Sequence, residues 1–237
     1  MANKAPQERN DSRSVPWSDT ALFIRQLSHD LRNDLNAIEL QSAYISELET
    51  NEELKGETKR LREMVARLAS TLQRLSRAVG EVTPNLIPYR AADFVEDLCA
   101  QIEHDFPKDS SEISWEGQLG DAMLNVDPQF LQEAFTELFA NALRHDRGKG
   151  PLAVKTKTDD NGFLFTLHEP KARFDLPTQD WGREPLRKIS HRHYGLGLNR
   201  VRAIVEAHGG KLHAQYDPNA SALITTLSLP VANEVSD

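Results

Sequence analysis

The stretch LSHDLRNDLNAIEL, residues 27–40, sets an imidazole, a carboxylate and two amides into a segment that repeats in apolar residues. Ile24, Leu31, Ile38 and Ile45 recur every seven residues, with Leu27 and Leu48 on the neighbouring register. That period predicts one long helix over residues 18–50. NEELKGE (51–57) holds a glycine and reads as the turn, and a second helix is expected over about 54–82. There Leu61, Leu68, Leu75 and Val82 keep the seven-residue period, as do Val65, Leu72 and Val79. Two such helices with a short connection imply an antiparallel hairpin. One hairpin carries more apolar seam than it can bury alone, so two copies are expected to pair into a four-helix bundle.

With Ile24 and Leu31 on the seam, His29 falls on the outer face. Asn33 and Asn36 follow it one and two turns along, and Asp30 lies beside it. An exposed imidazole next to a carboxylate fits a phosphate acceptor, because the carboxylate can fix the ring tautomer and take its proton. An amide one turn away can position a water for the reverse hydrolysis. Taken alone, the segment fits an ordinary solvated helix face equally well.

Composition narrows the classes. A 237-residue chain with 39% hydrophobic and 27% charged residues can bury a core in one or two domains. A net charge of −8 argues against a phosphate-backbone binder, so no nucleic-acid partner is expected. The single cysteine, Cys99, excludes an internal disulfide. No apolar run approaches the roughly 18 residues of a membrane span, and residues 1–17 read as a polar, disordered tail. The expectation is a cytoplasmic protein with no membrane segment, fed by a separate sensor protein.

Pro84 and Pro88, in TPNLIPYR, break the second helix and mark a domain boundary at 83/84. Beyond it, a helix is expected over about 91–106 and a loop with one strand over 107–126. DPQFLQEAFTELFANALRHD (127–146) opens with an Asp cap and a Pro at the first helical position. Strands are expected at 151–158 and 162–168 around the turn TDDNG, then a helix at 196–208 and strands at 211–216 and 221–229. Within ELFANALRH (137–145), Glu137 and Asn141 share a helix face at i, i+4, and an Asn carbonyl is a hard ligand suited to Mg²⁺. Arg144 and His145 can meet phosphate charge. In YGLGLNRVRAIVEAHGGKL (194–212), Gly195 and Gly197 precede a helix and can bring backbone N–H groups to a phosphate. Each feature alone has an equally plain structural reading.

In this order the segments resemble the histidine kinases of two-component signalling. FIRQLSHDLRNDLNAI resembles the H-box, ELFANALRH the N-box, and GLGLNRVRAIVEAHGGKL the second glycine box with its helix. The resemblance spans about residues 20–230. It implies a dimerisation and phosphotransfer hairpin (18–83), then an α+β sandwich of the GHKL or Bergerat ATPase type (84–231), with a short tail at 232–237. It gives His29 the role of phosphoacceptor, Asp30 that of acid/base, and Asn33 that of orienting water in dephosphorylation. It assigns Asn141, supported by Glu137, to Mg²⁺, and sets Arg144, His145, Gly195 and Gly197 around ATP. A homodimer and a response-regulator receiver domain are the implied partners.

Four departures matter. Asp34 stands where the family has a helix-kinking proline. After the strand 162–168 the family's Asp-x-Gly-x-Gly is replaced by LHEPKARF, in which Glu169 takes the place of the adenine-contacting aspartate and no glycine remains. The segment DWGREPLRKISHRH (180–193) is poor in glycine and rich in basic residues, and the last Gly-Thr is missing from YDPNASALITTLSLP. Three readings stay open: an ATP-dependent autokinase, a phosphorelay intermediary or docking pseudokinase, and a response-regulator phosphatase.

Overall fold

The computed structural model describes residues 15–144, 148–159, 162–175, 177–179, 181–183, 185–186 and 195–232. The chain divides into two units, Met1–Gly80 and Glu81–Asp237.

The first unit is a hairpin of α1 (Trp17–Leu48) and α2 (Glu52–Ala78). Trp17, read above as the last residue of the tail, already belongs to α1. The turn is shorter than expected, and Gly56 lies inside α2. Asn51 is the cause: its side-chain oxygen accepts from the backbone N–H groups of Glu53 (2.8 Å) and Leu54 (3.4 Å). That cap starts the helix one turn before the glycine, and Glu52 and Glu53 suit its positive end. Helix α2 also ends earlier than expected, at Ala78, just ahead of Gly80. Helix α1 runs unbroken through Asp34.

The seam within the hairpin is not the row Ile24, Leu31, Ile38 and Ile45. The buried positions of α1 are Ala21, Ser28 and Ser42, with Leu35 half-buried in the same row. They meet the row of Val65, Leu72 and Val79. Small side chains on α1 let the helices approach closely, and the bulkier row is turned outward. Leu31, Ile38 and Ile45 stay 39%, 43% and 45% exposed, and Leu54, Leu61 and Leu68 stay 50%, 42% and 56% exposed.

The second unit is a two-layer α/β sandwich. Its strands are β1 (Ile87–Arg90), β2 (Ile113–Gln118), β3 (Met123–Val126), β4 (Leu152–Asp159), β5 (Gly162–Pro170), β6 (Lys211–Asp217) and β7 (Ala222–Leu229). Its helices are α3 (Ala91–Asp105), α4 (Pro128–Arg144) and α5 (Gly197–Ala207). The main sheet has the order β2-β4-β5-β7-β6, antiparallel except for the β2–β4 pair. Phe163, Phe165 and Leu167 alternate onto the face that meets the helices, where Phe94, Phe135, Phe139 and Ile204 complete the core. Strand β1 lies in the segment read as a proline break. It pairs antiparallel with β3, and Pro88 is tolerated because a two-stranded ribbon consists only of edges. Ala232, read as tail, donates its N–H to Met123 O (2.7 Å).

Asp127 caps α4 as its sequence position implies, accepting from the N–H groups of Gln129 and Phe130 at 3.0 and 3.2 Å. Its other oxygen accepts from Asn85 N (3.0 Å). Its own N–H donates to His208 Nε2 (3.0 Å), while His208 Nδ1 donates to Ile204 O (2.7 Å). The buried ring is therefore the Nδ1–H tautomer, clamping the end of α5 to the start of α4. Replacing His208 with Ala leaves the Asp127 N–H without its acceptor. The expected loss is about 1–3 kcal/mol in urea unfolding.

Candidate functional site

In the first unit, His29, Asp30 and Asn33 lie together on one face of α1. The His29 and Asp30 side chains are 65% and 59% exposed, and His29 Nδ1 lies 3.2 Å from Asp30 Oδ1. A carboxylate only accepts, so Nδ1 carries the proton and Nε2 keeps its lone pair turned to solvent. Asn33 Nδ2 lies 3.5 Å from the same Nδ1. Since Nδ1 is donating to Asp30, the amide is a neighbour of the ring and not a donor to it. Gln26 Nε2 donates to Asp30 Oδ1 as well (2.9 Å). Hydrogen bonds from His29 and then Gln26 hold the Asp30 carboxyl below its ordinary range. Asn36, on the same face, lines an open hollow of about 420 Å³ with Glu39, Leu40, Ala43 and Arg62. The Cys99 thiol, in the second unit, is pushed up to about 11 by burial and by Glu103 and Glu96, so it is no nucleophile near neutral pH.

The second unit brings Glu137, Asn141 and Gly197 together. Asn141 Nδ2 donates to Glu137 Oε1 at 3.2 Å. Gly197 opens α5, and a Cβ there would lie 1.9 Å from Glu137 Oε1 and 2.7 Å from its Cδ. The glycine thus serves the close packing of the Glu137 carboxylate on α5, a role its sequence position did not disclose. Gly195 has φ +66°, a left-handed backbone that suits glycine. Its carbonyl accepts from Leu186 N (3.1 Å). Arg144 ends α4 and is exposed. His145 lies outside the described residues, as do residues 180, 184 and 187–193 of the basic segment.

At the end of β5, Glu169 continues the alternation of Phe163, Phe165 and Leu167 and so points to the core side of the sheet. Its Oε1 lies 2.6 Å from Lys171 Nζ, and the two side chains are only 9% and 6% exposed. The chain that follows is fastened down. Tyr216 donates to Lys171 O (3.2 Å) and Ala172 O (3.0 Å). Arg202 Nε donates to Trp181 O (2.7 Å), and Asn199 to Gly182 O (3.0 Å). Gly182, at φ +75°, lies so close to α5 that a Cβ would come within 2.4 Å of Leu198 O. None of these anchors was named from the sequence. The signal that could have found them is the lysine standing where the resemblance expects glycine.

Residues 126–233 match the family described as histidine kinase-, DNA gyrase B-, and HSP90-like ATPases. The chain is 26% identical over 225 residues to the sensor histidine kinase ZraS of Klebsiella oxytoca, spanning 89% of this chain and 46% of that protein. It is 25% identical over 213 residues to the sensor histidine kinase HprS of Escherichia coli K12, spanning 82% of this chain and 44% of that protein. The matched ATPase family and these relatives support a place for the chain among the two-component sensor histidine kinases. Its fold is also that of full-length ShkA solved in complex with AMPPNP, with a TM-score of 0.66 at 17% identity over 90% of this chain and 46% of that one. The chain spans a little under half the length of the curated relatives it matches. No described helix is long and apolar enough to cross a membrane.

The matched ATPase family implies ATP with Mg²⁺, and the two halves of that ligand fare differently in this chain. Glu137 and Asn141 offer hard oxygens that suit Mg²⁺. The end of β5 does not suit adenine, because the carboxylate at that position is already engaged by a buried ammonium.

Two outcomes are expected from this geometry. The Asp30 carboxyl should titrate below the ordinary aspartate value by carbon-detected NMR, so its bond to His29 persists until the pH falls through that lowered midpoint; in His29→Ala the midpoint should rise. Gly197→Ala should cost about 1–2 kcal/mol in urea unfolding by displacing the Glu137 carboxylate, and Glu137→Ala should relieve most of that cost in a double-mutant cycle.

Proposed function

We propose that this chain is the phosphotransfer core of a two-component protein, in which His29 exchanges a phosphoryl group with an aspartate on a response-regulator receiver domain. The observation that carries the reading is the exposed imidazole with Nδ1 tied to Asp30, which leaves Nε2 as the nucleophile. Nε2 attacks phosphorus as the donor's P–O bond breaks. The imidazolium that forms keeps its Nδ1 proton against the Asp30 carboxylate, which stabilises it. Phosphoryl transfer needs positioning more than covalent help from the protein, and the hollow beyond His29, with Leu40 on the same face, is a suitable seat for the receiver. Asn33, beside the ring, is positioned to hold a water when a phosphorylated receiver is hydrolysed instead.

The exposed rows Leu31–Ile38–Ile45 and Leu54–Leu61–Leu68 support a homodimer through the hairpin. Six large apolar side chains left 39–56% exposed on one short hairpin form a surface that a second copy would bury. Glu137 and Asn141 favour the ATP-dependent form of the reaction, with Mg²⁺ held by Asn141, while the Glu169–Lys171 pair weighs against it. Work in the cytoplasm completes the reading.

His29→Gln should take up no label from any phosphodonor, and label retained on the variant would refute the assignment. Asp30→Asn should keep the site but slow transfer by on the order of 10²-fold. Sedimentation at micromolar concentration should give a dimer, and Ile38→Lys with Leu61→Lys a monomer.

A further inference from the structure

We infer that Lys171 is a built-in cation filling the base side of the nucleotide site, so that His29 takes its phosphoryl group from an acyl phosphate and not from ATP. The inference rests on the phosphoacceptor reading of His29 and adds the chemical class of its donor.

Three observations converge on the end of β5. Glu169 is on the core face of the sheet, in line with Phe163, Phe165 and Leu167, and is paired there with Leu223 of β7. Lys171 Nζ reaches its Oε1 at 2.6 Å with both side chains almost wholly buried. The exocyclic amine of adenine is a donor and needs an acceptor. The carboxylate at this position is already ion-paired with an ammonium, which presents N–H groups to an incoming N–H. Admitting the base means disturbing a buried ion pair, which is costly on the core side of a sheet.

The described backbone beside this pair is held in place by contacts from the rest of the domain. Pro170 O accepts from Gly148 N at 2.7 Å, and a Cβ on Gly148 would already stand 3.0 Å from Pro170 C and O. Tyr216 holds the carbonyls of Lys171 and Ala172, while Phe174 packs against Trp181 and Tyr216 with centroids 5.6 and 6.2 Å apart. Arg202 and Asn199 fix Trp181 and Gly182.

With the base side closed, the donor must carry an activated phosphoryl group without needing an adenine site. An aspartyl phosphate on a receiver domain has this chemistry. His29 Nε2 forms the N–P bond, the P–O bond of the mixed anhydride breaks, and the aspartate leaves as its carboxylate. The Nδ1 proton stays on the ring, facing Asp30, so no further reactant is required. The chain is then an intermediary that collects phosphoryl groups from one aspartate and passes them to another.

The test uses the full chain. Calorimetric titration with MgATP up to millimolar nucleotide should show no saturable heat, and labelled ATP should leave His29 unlabelled. Receiver domains charged with radiolabelled acetyl phosphate should pass label to His29 and not to His29→Gln. Saturable MgATP binding in the micromolar range, or label reaching His29 from ATP, would overturn the closed base side. The variant Glu169→Asp with Lys171→Gly, checked by circular dichroism and thermal melting, should gain measurable MgATP binding. A folded variant that binds no better than wild type would overturn Lys171 as the cause; if it does not fold, the wild-type titration decides alone. Label on His29 from neither donor would remove the donor assignment together with the phosphoacceptor reading, while calorimetry would still decide the state of the base side.

Discussion

The face that α4 turns to the sheet governs the chemistry of the second unit. Phe135 meets Phe165 edge-on with centroids 4.6 Å apart, and Phe139 stacks between Phe165 and Trp115 at 6.2 and 5.6 Å. These rings, with Leu131, Leu138 and Ala142, fix the rotation of α4 about its own axis. Once that rotation is set, Glu137 and Asn141 have only the α5 side left to them. Gly197 receives the Glu137 carboxylate there because it has no side chain. The polar constellation is thus a by-product of aromatic packing on the opposite face, held at its ends by Asp127 and His208.

Much of this architecture was legible in the sequence because it follows from period and punctuation. The Asp127–Pro128 start, the two strands around TDDNG and the Gly-Gly stop after α5 are local signals, and the structure honours each. The family, too, could be read from three motifs in order. The hairpin seam was harder to read. A heptad pattern names apolar rows without saying which row meets its own partner helix, and here the small row of Ala21, Ser28 and Ser42 took that place. Strand β1 escaped because its proline reads as a breaker unless its edge position is known. Residue spacing brought His29, Asp30 and Asn33 together on one helix face. The Glu169–Lys171 pair, the Gly197–Glu137 contact and the Arg202 and Tyr216 anchors join residues from different elements, and no periodicity carries that information.

The two units solve opposite problems with charge. On α1, Asp30 and His29 are solvated, and their bond orders a proton at little cost, so the imidazole remains available. At the end of β5 the same kind of opposite-charge contact is sunk on the core side of the sheet, where leaving either partner alone is expensive. The first arrangement suits a group that must react and the second a group that must stay where it is.

The strand order has a consequence for how the sheet is assembled. β4–β5 and β6–β7 are joined by short turns, so each pair closes a small loop, whereas β5 and β7 meet only after residues 171–221 have been brought round. Loop-closure entropy makes that the costly pairing in the sheet, and contacts within the loop that shorten its effective length lower the cost. Lys171, Trp181 and Gly182 are such contacts, tied to β5, α5 and β6. These described residues are the closing clasp of the sheet, and their order arrives with folding itself.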